Sequence, residues 1–287
     1  MHSVSTVAAA STRHLRVWVN GALYNDPDQA TIAATDHGVV VGDGVFESLK
    51  VTEAGPFAVQ RHLNRLSRSA AAMGLSAPDH ALVRSAIDEV LDGREFSRGR
   101  VRITYTGGLG PLSSGTPYGP ATLVIAVEPV EHSPASTAIV TAPWTRNECG
   151  ALSGVKSTSY AGNVRALAYA TSREATEAIF LNTKGKVCEG TGTNIFFVID
   201  GAITTPPLSS GPLAGITREL ILEWCAVEER DITLDEALAA DEVFITSSLR
   251  DVQAIHRWDD TTFDARHPLT DQIAATFTLR SSADLDP

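Results

Sequence analysis

The sequence has few cysteines, no long apolar run and no excess of positive charge. Its three cysteines, Cys149, Cys188 and Cys225, are odd in number and lack metal-ligand spacing, which argues against a metal site. They predict reduced thiols and a cytoplasmic protein. No stretch approaches the ~20 apolar residues of a membrane span. The run VSTVAAA is too brief for a secretory signal, so residues 1–15 are expected to be a disordered lead-in.

The net charge of the chain argues against some classes of binding partner. The chain carries 23 basic and 34 acidic residues, a net charge of −11. An acidic chain is poorly suited to nucleic acid or to an anionic membrane, so neither is expected as a partner. The sequence therefore favours an enzyme that acts on small molecules.

The length and the order of the predicted elements indicate two domains. A chain of 287 residues with 43% apolar content is long enough for two cores. The polar, proline-containing segment after Pro129 reads as a linker. We predict an N-terminal α/β domain at 16–128, a linker at 129–135 and a C-terminal α/β domain at 136–287. Strands paired in meanders with helices between them indicate a mixed α+β and α/β fold.

Several elements are predicted individually. Helical spacing of apolar residues from Leu63 to Met73 indicates one helix, and further helices are expected at 79–92, 162–174 and 268–280. Asp79 is a plausible start signal for the second of these. The run GGLGPLSSGTPYGP after the strand RVRITYT is a fourteen-residue loop. Loops of that length without structure of their own are usually functional or mobile.

Lys156 is the most informative residue, because Glu189 follows it by 33 residues in the run CEGTGTNIFFV. Either residue alone would be an ordinary charged group at a strand end. A deprotonated lysine forms an imine with an aldehyde cofactor. A carboxylate placed against a pyridine nitrogen keeps that ring cationic, which makes the ring an electron sink. The pair therefore predicts a pyridoxal-phosphate enzyme.

Two segments offer a phosphate anchor. Ile216 and Thr217 follow Gly215 at a predicted helix start, where free backbone N–H groups face an anion. Arg65 lies on a basic helical face that either grips phosphate through its guanidinium or is simply solvated. Ser248 ends a strand in FITSS, and its hydroxyl is a further candidate for the phosphate or for a substrate carboxylate.

With these runs in family order, the chain resembles the class IV aminotransferases, the pyridoxal-phosphate enzymes of fold type IV. The resemblance covers roughly residues 16 to 260 and rests on GDGVFESLKV, HLNRL, the Lys156 run, EGTGTNIFFV, GITR and DEVFITSS. It implies a homodimer, with pyridoxal 5'-phosphate in the cleft between a smaller N-terminal and a larger C-terminal domain. Lys156 would be the catalytic residue that forms the imine and moves the proton. The implied cofactor-binding residues are Lys156, Glu189, Arg65, Ile216, Thr217, Ser248, Asn194 and Tyr160.

The amino donor is less closely defined than the chemistry. The 21 residues from Lys156 to Glu177 and the run GDGVFESLKV resemble D-amino acid aminotransferases, whereas EGTGTNIFFV and TPPLSSGPLAGITR look closer to branched-chain enzymes. Strand alternation puts Phe46, Ser48 and Lys50 on one face, where all three are expected to contact substrate. We predict transamination between an amino acid, with D-amino acids favoured, and a 2-oxo acid. The alternatives are an aminodeoxychorismate lyase that releases pyruvate to give 4-aminobenzoate, a branched-chain enzyme, and a non-enzymatic cofactor-binding protein.

The long loop holds the main departure from the resemblance. D-amino acid aminotransferases carry a carboxylate-binding arginine in this loop, and Pro111 stands at that position here. No arginine or lysine occurs between Arg102 and Arg146. Lys50 and Arg250 are the expected replacements, and the fork of Arg250 suits a carboxylate better. Without such a grip, (R)-primary amines would also be substrates.

Overall fold

The computed structural model describes residues 15–94 and 97–287, so the predicted lead-in lies outside the described residues except for Leu15. The chain divides into two compact units. The first runs to His132 and also includes Val155–Ser159 and Leu285–Pro287, and the second comprises Ser133–Gly154 and Tyr160–Asp284. The first unit is therefore discontinuous in sequence.

The first unit is built on an antiparallel sheet. Within the described residues the sheet has six strands in the order β2-β1-β6-β5-β3-β4. The strands are β1 (Arg16–Val19), β2 (Ala22–Tyr24), β3 (Gly44–Thr52), β4 (Gly55–Pro56), β5 (Arg98–Thr106) and β6 (Thr122–Pro129), and the helices are α1 (His37–Val40), α2 (Val59–Ala72) and α3 (His80–Leu91).

Helices α2 and α3 cover one face of this sheet. Leu63, Leu66 and Ala70 of α2 are fully buried, together with Val83 and Ile87 of α3, in the same cluster as the inward side chains of β3, β5 and β6. Burial of these side chains against the sheet is the main favourable contribution to this unit's stability.

The second unit is built on a larger, mixed sheet. Its nine strands among the described residues run β12-β11-β10-β13-β14-β7-β8-β9, and β15 pairs with β14. Strands β7 and β8, β14 and β7, and β11 and β12 pair in parallel. The strands are β7 (Ser136–Thr141), β8 (Glu177–Leu181), β9 (Val187–Gly190), β10 (Asn194–Ile199), β11 (Ala202–Thr205), β12 (Glu228–Glu229), β13 (Glu242–Ser247), β14 (Asp251–Trp258) and β15 (Thr261–Thr262), and the helices are α4 (Ala161–Thr171), α5 (Ile216–Trp224), α6 (Leu234–Leu238) and α7 (Pro268–Ala283).

Apolar side chains cover both faces of this second sheet. One face carries a cluster that includes Ile195, Ile245 and Trp258. The opposite face packs Ala178 against Ala166 and other small residues of α4. Two packed faces explain why strands such as NIFFVI read as continuous apolar runs rather than as alternating ones.

The predicted mixed α and β fold class is confirmed. Two of the predicted helices show how closely sequence signals define where a helix begins and ends. The helix predicted at 79–92 spans His80–Leu91, and the Asp79 side chain accepts hydrogen bonds from the N–H groups of Ala81 and Leu82. The helix predicted at 162–174 ends earlier, at Thr171, because Glu174 has a φ of 55°. A left-handed residue at that place ends the helical turn.

The long loop is anchored to the first unit although it forms no helix or strand of its own. The His37 N–H donates to Gly108 O at 2.9 Å, and the Gly110 N–H donates to Thr35 O at 3.2 Å. The His37 imidazole lies 3.0 Å from Pro111 O through Nε2. Across the described ranges 15–94 and 97–287, no helix is long and apolar enough to cross a membrane.

Candidate active site

Lys156 lies in a short extended segment that pairs with the edge of β3 in the first unit. The Phe46 N–H donates to Lys156 O at 2.9 Å, and the Thr158 N–H donates to Gly44 O at 2.8 Å. The Lys156 N–H donates to the Ser69 hydroxyl of α2 at 3.3 Å. The lysine is half-buried, and Nζ lies 4.4 Å from the centre of the Phe46 ring. Both backbone polar groups of the lysine are therefore bonded within its own unit.

A second cation, Arg102 of β5, lies on the same aromatic ring. Its guanidinium carbon is 3.4 Å from the centre of the Phe46 ring. Arg102 pairs with Ser48 across the two strands, which puts it on the face that carries Phe46 and Lys50. The alternation in RVRITYT is the signal that would have placed Arg102 on this face. Sequence reasoning missed it because pairing of β3 with β5 is not visible in either run alone.

Lys50 contacts a different ring from the one that Lys156 contacts. Its Nζ lies 5.1 Å from the centre of the Phe57 ring, and the residue is buried. Ser48 is half-buried on the same face of β3. The predicted roles of Phe46, Ser48 and Lys50 in substrate binding stay predictions, and among the three Phe46 is the residue in contact with Lys156.

The opposite face of β3 carries a buried charge cluster. Glu47 accepts hydrogen bonds from Arg65 Nε at 2.8 Å and from Arg65 Nη2 at 2.6 Å, and its Oε2 lies 2.7 Å from His62 Nδ1. Burial alone would raise the pKa of Glu47, but the Arg65 charge and the hydrogen bonds from Arg65 and His62 hold it well below its usual range. Burial lowers the pKa of His62. Arg65 is thus paired and buried rather than solvated, and its predicted phosphate contact stays a prediction.

Glu189 lies on β9 in the second unit, with both carboxylate oxygens held. Its Oε2 accepts the Leu213 N–H at 2.8 Å, and its Oε1 lies 3.4 Å from Arg146 Nη2. The Arg146 guanidinium also lies 4.3 Å from the centre of the Phe180 ring. Arg146 is a residue that the motifs did not indicate, because the pairing that brings it to Glu189 joins distant parts of the chain.

Asn194 fixes the segment that leads into α5. Its Nδ2 donates to Leu213 O at 2.9 Å, and a Cβ added at Gly215 would collide with its Oδ1. Gly215 precedes the helix and provides no side-chain cap, so the first N–H groups of α5 are not capped from within. Ile216 and Thr217, the first two helical residues, are buried.

A buried hydroxyl lies on the strand that packs against α5. Thr246 of β13 is 1% exposed, and within the described residues its Oγ1 has no hydrogen-bond partner. A buried hydroxyl without a partner costs free energy unless a further group satisfies it. Ser248 lies half-buried just beyond the end of the same strand. An uncapped helix start and an unsatisfied hydroxyl suit an anionic group such as phosphate.

Tyr160 and Arg250 are both hydrogen-bonded within the second unit. The Tyr160 hydroxyl donates to Thr191 O at 3.0 Å. The Arg250 guanidinium donates to Gln253 Oε1 at 2.5 Å through Nη1 and to Thr176 O at 3.2 Å through Nη2. Arg250 would have to give up these bonds to grip a carboxylate with both terminal nitrogens. The roles predicted for these two residues stay predictions.

Comparison with known proteins assigns the chain to a family. The amino-transferase class IV family matches residues 44–258 of the chain. The chain belongs to the class IV aminotransferases. This class IV chain is 31% identical over 257 residues to a putative branched-chain-amino-acid aminotransferase of Methanocaldococcus jannaschii, covering 85% of this chain and 88% of that one. It is 30% identical over 263 residues to a D-alanine aminotransferase of Staphylococcus epidermidis, covering 85% and 89%.

A solved structure of the same fold points to the cofactor. The class IV chain is 26% identical to a T.th. branched-chain amino acid aminotransferase in its structure with pyridoxamine 5'-phosphate, with a TM-score of 0.83 and coverage of 92% of each chain. The cofactor of this class IV aminotransferase is pyridoxal 5'-phosphate. Taken separately, the two units contain residue types that fit it: the first has an amine at Lys156, and the second has a carboxylate at Glu189 and an uncapped helix start with the Thr246 hydroxyl. The roles of these residues toward the cofactor stay predictions.

Proposed function

We propose that this class IV aminotransferase transfers the amino group of an amino acid, with D-amino acids favoured, to a 2-oxo acid. The observation that carries the amino acid assignment is the shared contact of Lys156 and Arg102 with the Phe46 ring, at 4.4 Å and 3.4 Å. An amino acid presents an amine and a carboxylate on one carbon. A reactive lysine and a guanidinium on one ring suit that pair of groups.

Each proposed site residue has a separate role in binding the cofactor or in moving the proton. When bound, pyridoxal phosphate supplies an aldehyde that condenses with amines and a ring that withdraws electrons from the substrate Cα. Lys156 Nζ is the amine that would hold the cofactor covalently; once displaced, it would remove the proton from the substrate Cα and deliver it to the cofactor's former aldehyde carbon. The Glu189 carboxylate, fixed by the Leu213 N–H, is proposed to keep the pyridine nitrogen protonated. The phosphate is assigned to Arg65 and to Ile216, Thr217 and Ser248.

Arg102 is proposed as the carboxylate anchor in place of the arginine that Pro111 replaces. Its guanidinium lies on the Phe46 ring, while the backbone of the loop at Pro111 accepts a bond from His37. A guanidinium that lies on an aromatic ring binds a planar carboxylate through a fork of two N–H groups. The presence of Arg102 favours amino acids over primary amines that lack a carboxylate.

The preference for the D configuration rests on sequence likeness, and a branched-chain enzyme is the second candidate. GDGVFESLKV and the D-alanine aminotransferase relative support the first. The run EGTGTNIFFV and the Methanocaldococcus jannaschii relative support the second. The homodimer and the cytoplasmic location are proposed with the function. The first is supported by the resemblance, and the second by three cysteines that form no disulfide with one another.

A half-reaction assay tests the proposal. D-alanine, L-leucine, (R)-1-phenylethylamine and aminodeoxychorismate are added separately to the holoenzyme without any 2-oxo acid, and the loss of the cofactor's visible absorbance is followed. D-alanine should react fastest, and L-leucine would do so if the branched-chain reading holds. Pyruvate release from aminodeoxychorismate at a comparable rate would contradict both transaminase assignments.

The variant Arg102→Gln tests the carboxylate anchor in the same assay. The loss of one charge-assisted bidentate contact should slow the amino acids about 100-fold while the amine changes by less than about threefold. Arg100→Gln is the matched control, because Arg100 lies two residues along β5 and pairs with Glu128 at 3.2 Å. Equal losses for amino acids and amine would contradict the role of Arg102.

A further inference from the structure

Three polar side chains lie along the buried stripe of α2. His62, Arg65 and Ser69 are 1%, 5% and 3% exposed, and their spacing puts them on one face of the helix. His62 and Arg65 both contact Glu47 on β3. Ser69 instead contacts the backbone of the lysine segment, and neither the motifs nor the proposed chemistry gives it a role.

The Ser69 hydroxyl and the Phe46 N–H both bond to the backbone of Lys156. The hydroxyl accepts the Lys156 N–H at 3.3 Å, while the Phe46 N–H donates to Lys156 O at 2.9 Å. The lysine segment pairs with β3 through a bridge between Ser157 and Val45. Ser69 supplies a further bond, to the Lys156 N–H, from a helix that packs against the same sheet.

We propose that Ser69 is a positioning residue that holds the Lys156 backbone so that Nζ reaches the aldehyde carbon of the cofactor. This inference rests on the proposed role of Lys156. In the bond-forming step Nζ adds to the aldehyde carbon, and the aldehyde oxygen leaves as water. Ser69 exchanges no atom in that step. It removes backbone freedom that the lysine would otherwise lose when the bond forms.

The cofactor's two natural forms separate this role from a general structural one. Pyridoxal phosphate bonds covalently to the lysine, whereas pyridoxamine phosphate carries an amine in place of the aldehyde and makes no such bond. A residue that acts through Lys156 should therefore affect the first form and spare the second. A residue that supports α2 as a whole, including Arg65, should affect both forms alike.

The experiment measures the dissociation constants of both forms with the full-length chain for wild type and Ser69→Ala. Loss of a partly buried backbone partner should weaken pyridoxal phosphate about tenfold and leave pyridoxamine phosphate within about twofold. Ser67→Ala is the matched control, because the Ser67 hydroxyl lies on the same helix and contacts His80 Nε2 at 2.7 Å. This control should leave both constants within about twofold.

Lys156→Ala separates failure of this inference from failure of the proposed function. In the Lys156→Ala background, Ser69→Ala should not change the dissociation constant of either form further, because the side chain that Ser69 positions has been removed. Equal weakening of both forms by Ser69→Ala, or no weakening of either, would overturn the inference. If Lys156→Ala itself fails to weaken pyridoxal phosphate relative to pyridoxamine phosphate, the proposed role of Lys156 is wrong instead.

Discussion

Each unit of the molecule contains a buried glutamate whose pKa is shifted, and the two have opposite surroundings. Glu47 in the first unit is 0% exposed and contacts Arg65 and His62, whereas Glu177 in the second is 3% exposed and accepts from the backbone N–H and hydroxyl of Thr191. Burial raises the pKa of Glu177, and the Thr191 donors together with the Arg250 charge offset only part of that rise. The pKa of Glu47 is lowered because the Arg65 charge and the hydrogen bonds from Arg65 and His62 outweigh its burial.

The comparison shows two ways in which the protein stabilises polar side chains that are removed from solvent: pairing with an opposite charge, and hydrogen bonding to the backbone. The first unit uses charged side chains paired with each other in its core. The second adds backbone groups to such pairing: Glu189 lies near Arg146 and also accepts from the Leu213 N–H, and Leu213 O accepts from Asn194. A charge pair is sensitive to loss of either charge. We call the bonds of the Leu213 backbone to Glu189 and Asn194 the backbone cradle. Its stability depends on the shape of the residues that form it.

The largest expected effect is that of Glu47→Gln. The substitution keeps the shape of the side chain but leaves Arg65 buried without its counter-ion, so unfolding free energy should fall by about 3–5 kcal/mol at pH 7. Urea unfolding monitored by fluorescence measures it. Because the pKa of Glu47 is lower in the folded state, its stabilising contribution is present above the ordinary carboxyl range and is lost as pH falls through the lowered value. The penalty should shrink in acid.

Glu128→Gln is the control for Glu47→Gln. Glu128 pairs with Arg100 at 3.2 Å, but both side chains are more than a third exposed. Exposed pairs contribute about 0–1 kcal/mol, so this variant should be close to wild type. Similar losses for both variants would mean that burial does not distinguish the two pairs.

The next largest effect is expected at the backbone cradle, from Gly215→Ala. The added methyl collides with Asn194 Oδ1, and overpacking of this kind costs about 1–3 kcal/mol. Pyridoxamine phosphate should also bind about tenfold more weakly, because the start of α5 moves. Gly192→Ala is the matched control, since a Cβ there meets nothing within 4 Å. Additivity of Gly215→Ala with Asn194→Ala would contradict the collision.

The same contrast explains what the sequence could predict. Asp79 and the helix that it caps are local features, and the sequence located them to within a residue or two. Arg102, Arg146 and Ser69 reach Phe46, Glu189 and Lys156, respectively, through pairings between distant segments, which no single run encodes. Arg65 was left open between a phosphate contact and a solvated position because a basic helical stripe is usually exposed. Its burial depends on Glu47, whose facing position follows only from the packing of α2 on β3.

A smaller effect of opposite sign is expected from Glu177→Gln. The raised pKa means that the folded state prefers the protonated carboxyl, so wild-type stability falls as pH rises from the unfolded value of 4.5 towards the folded one. The amide cannot ionise. The variant should therefore match wild type near pH 4 and gain about 0.5–1.5 kcal/mol over it at pH 8. Thermal unfolding across this range measures the difference, and a constant difference would show that Glu177 does not titrate differently on folding.

The smallest effect on stability is expected from Thr246→Val, which tests whether the Thr246 hydroxyl binds the cofactor phosphate. Valine has the same shape and buries no polar atom, so unfolding free energy should change by less than about 0.5 kcal/mol or rise slightly. Affinity for pyridoxamine phosphate should fall about fivefold, because a hydrogen bond to an anion is lost. Thr204→Val is the matched control, since the buried Thr204 hydroxyl on β11 also lacks a partner among the described residues. If both variants leave the affinity unchanged, Thr246 is an ordinary buried hydroxyl, and the phosphate is held by the start of α5 and by charged side chains alone.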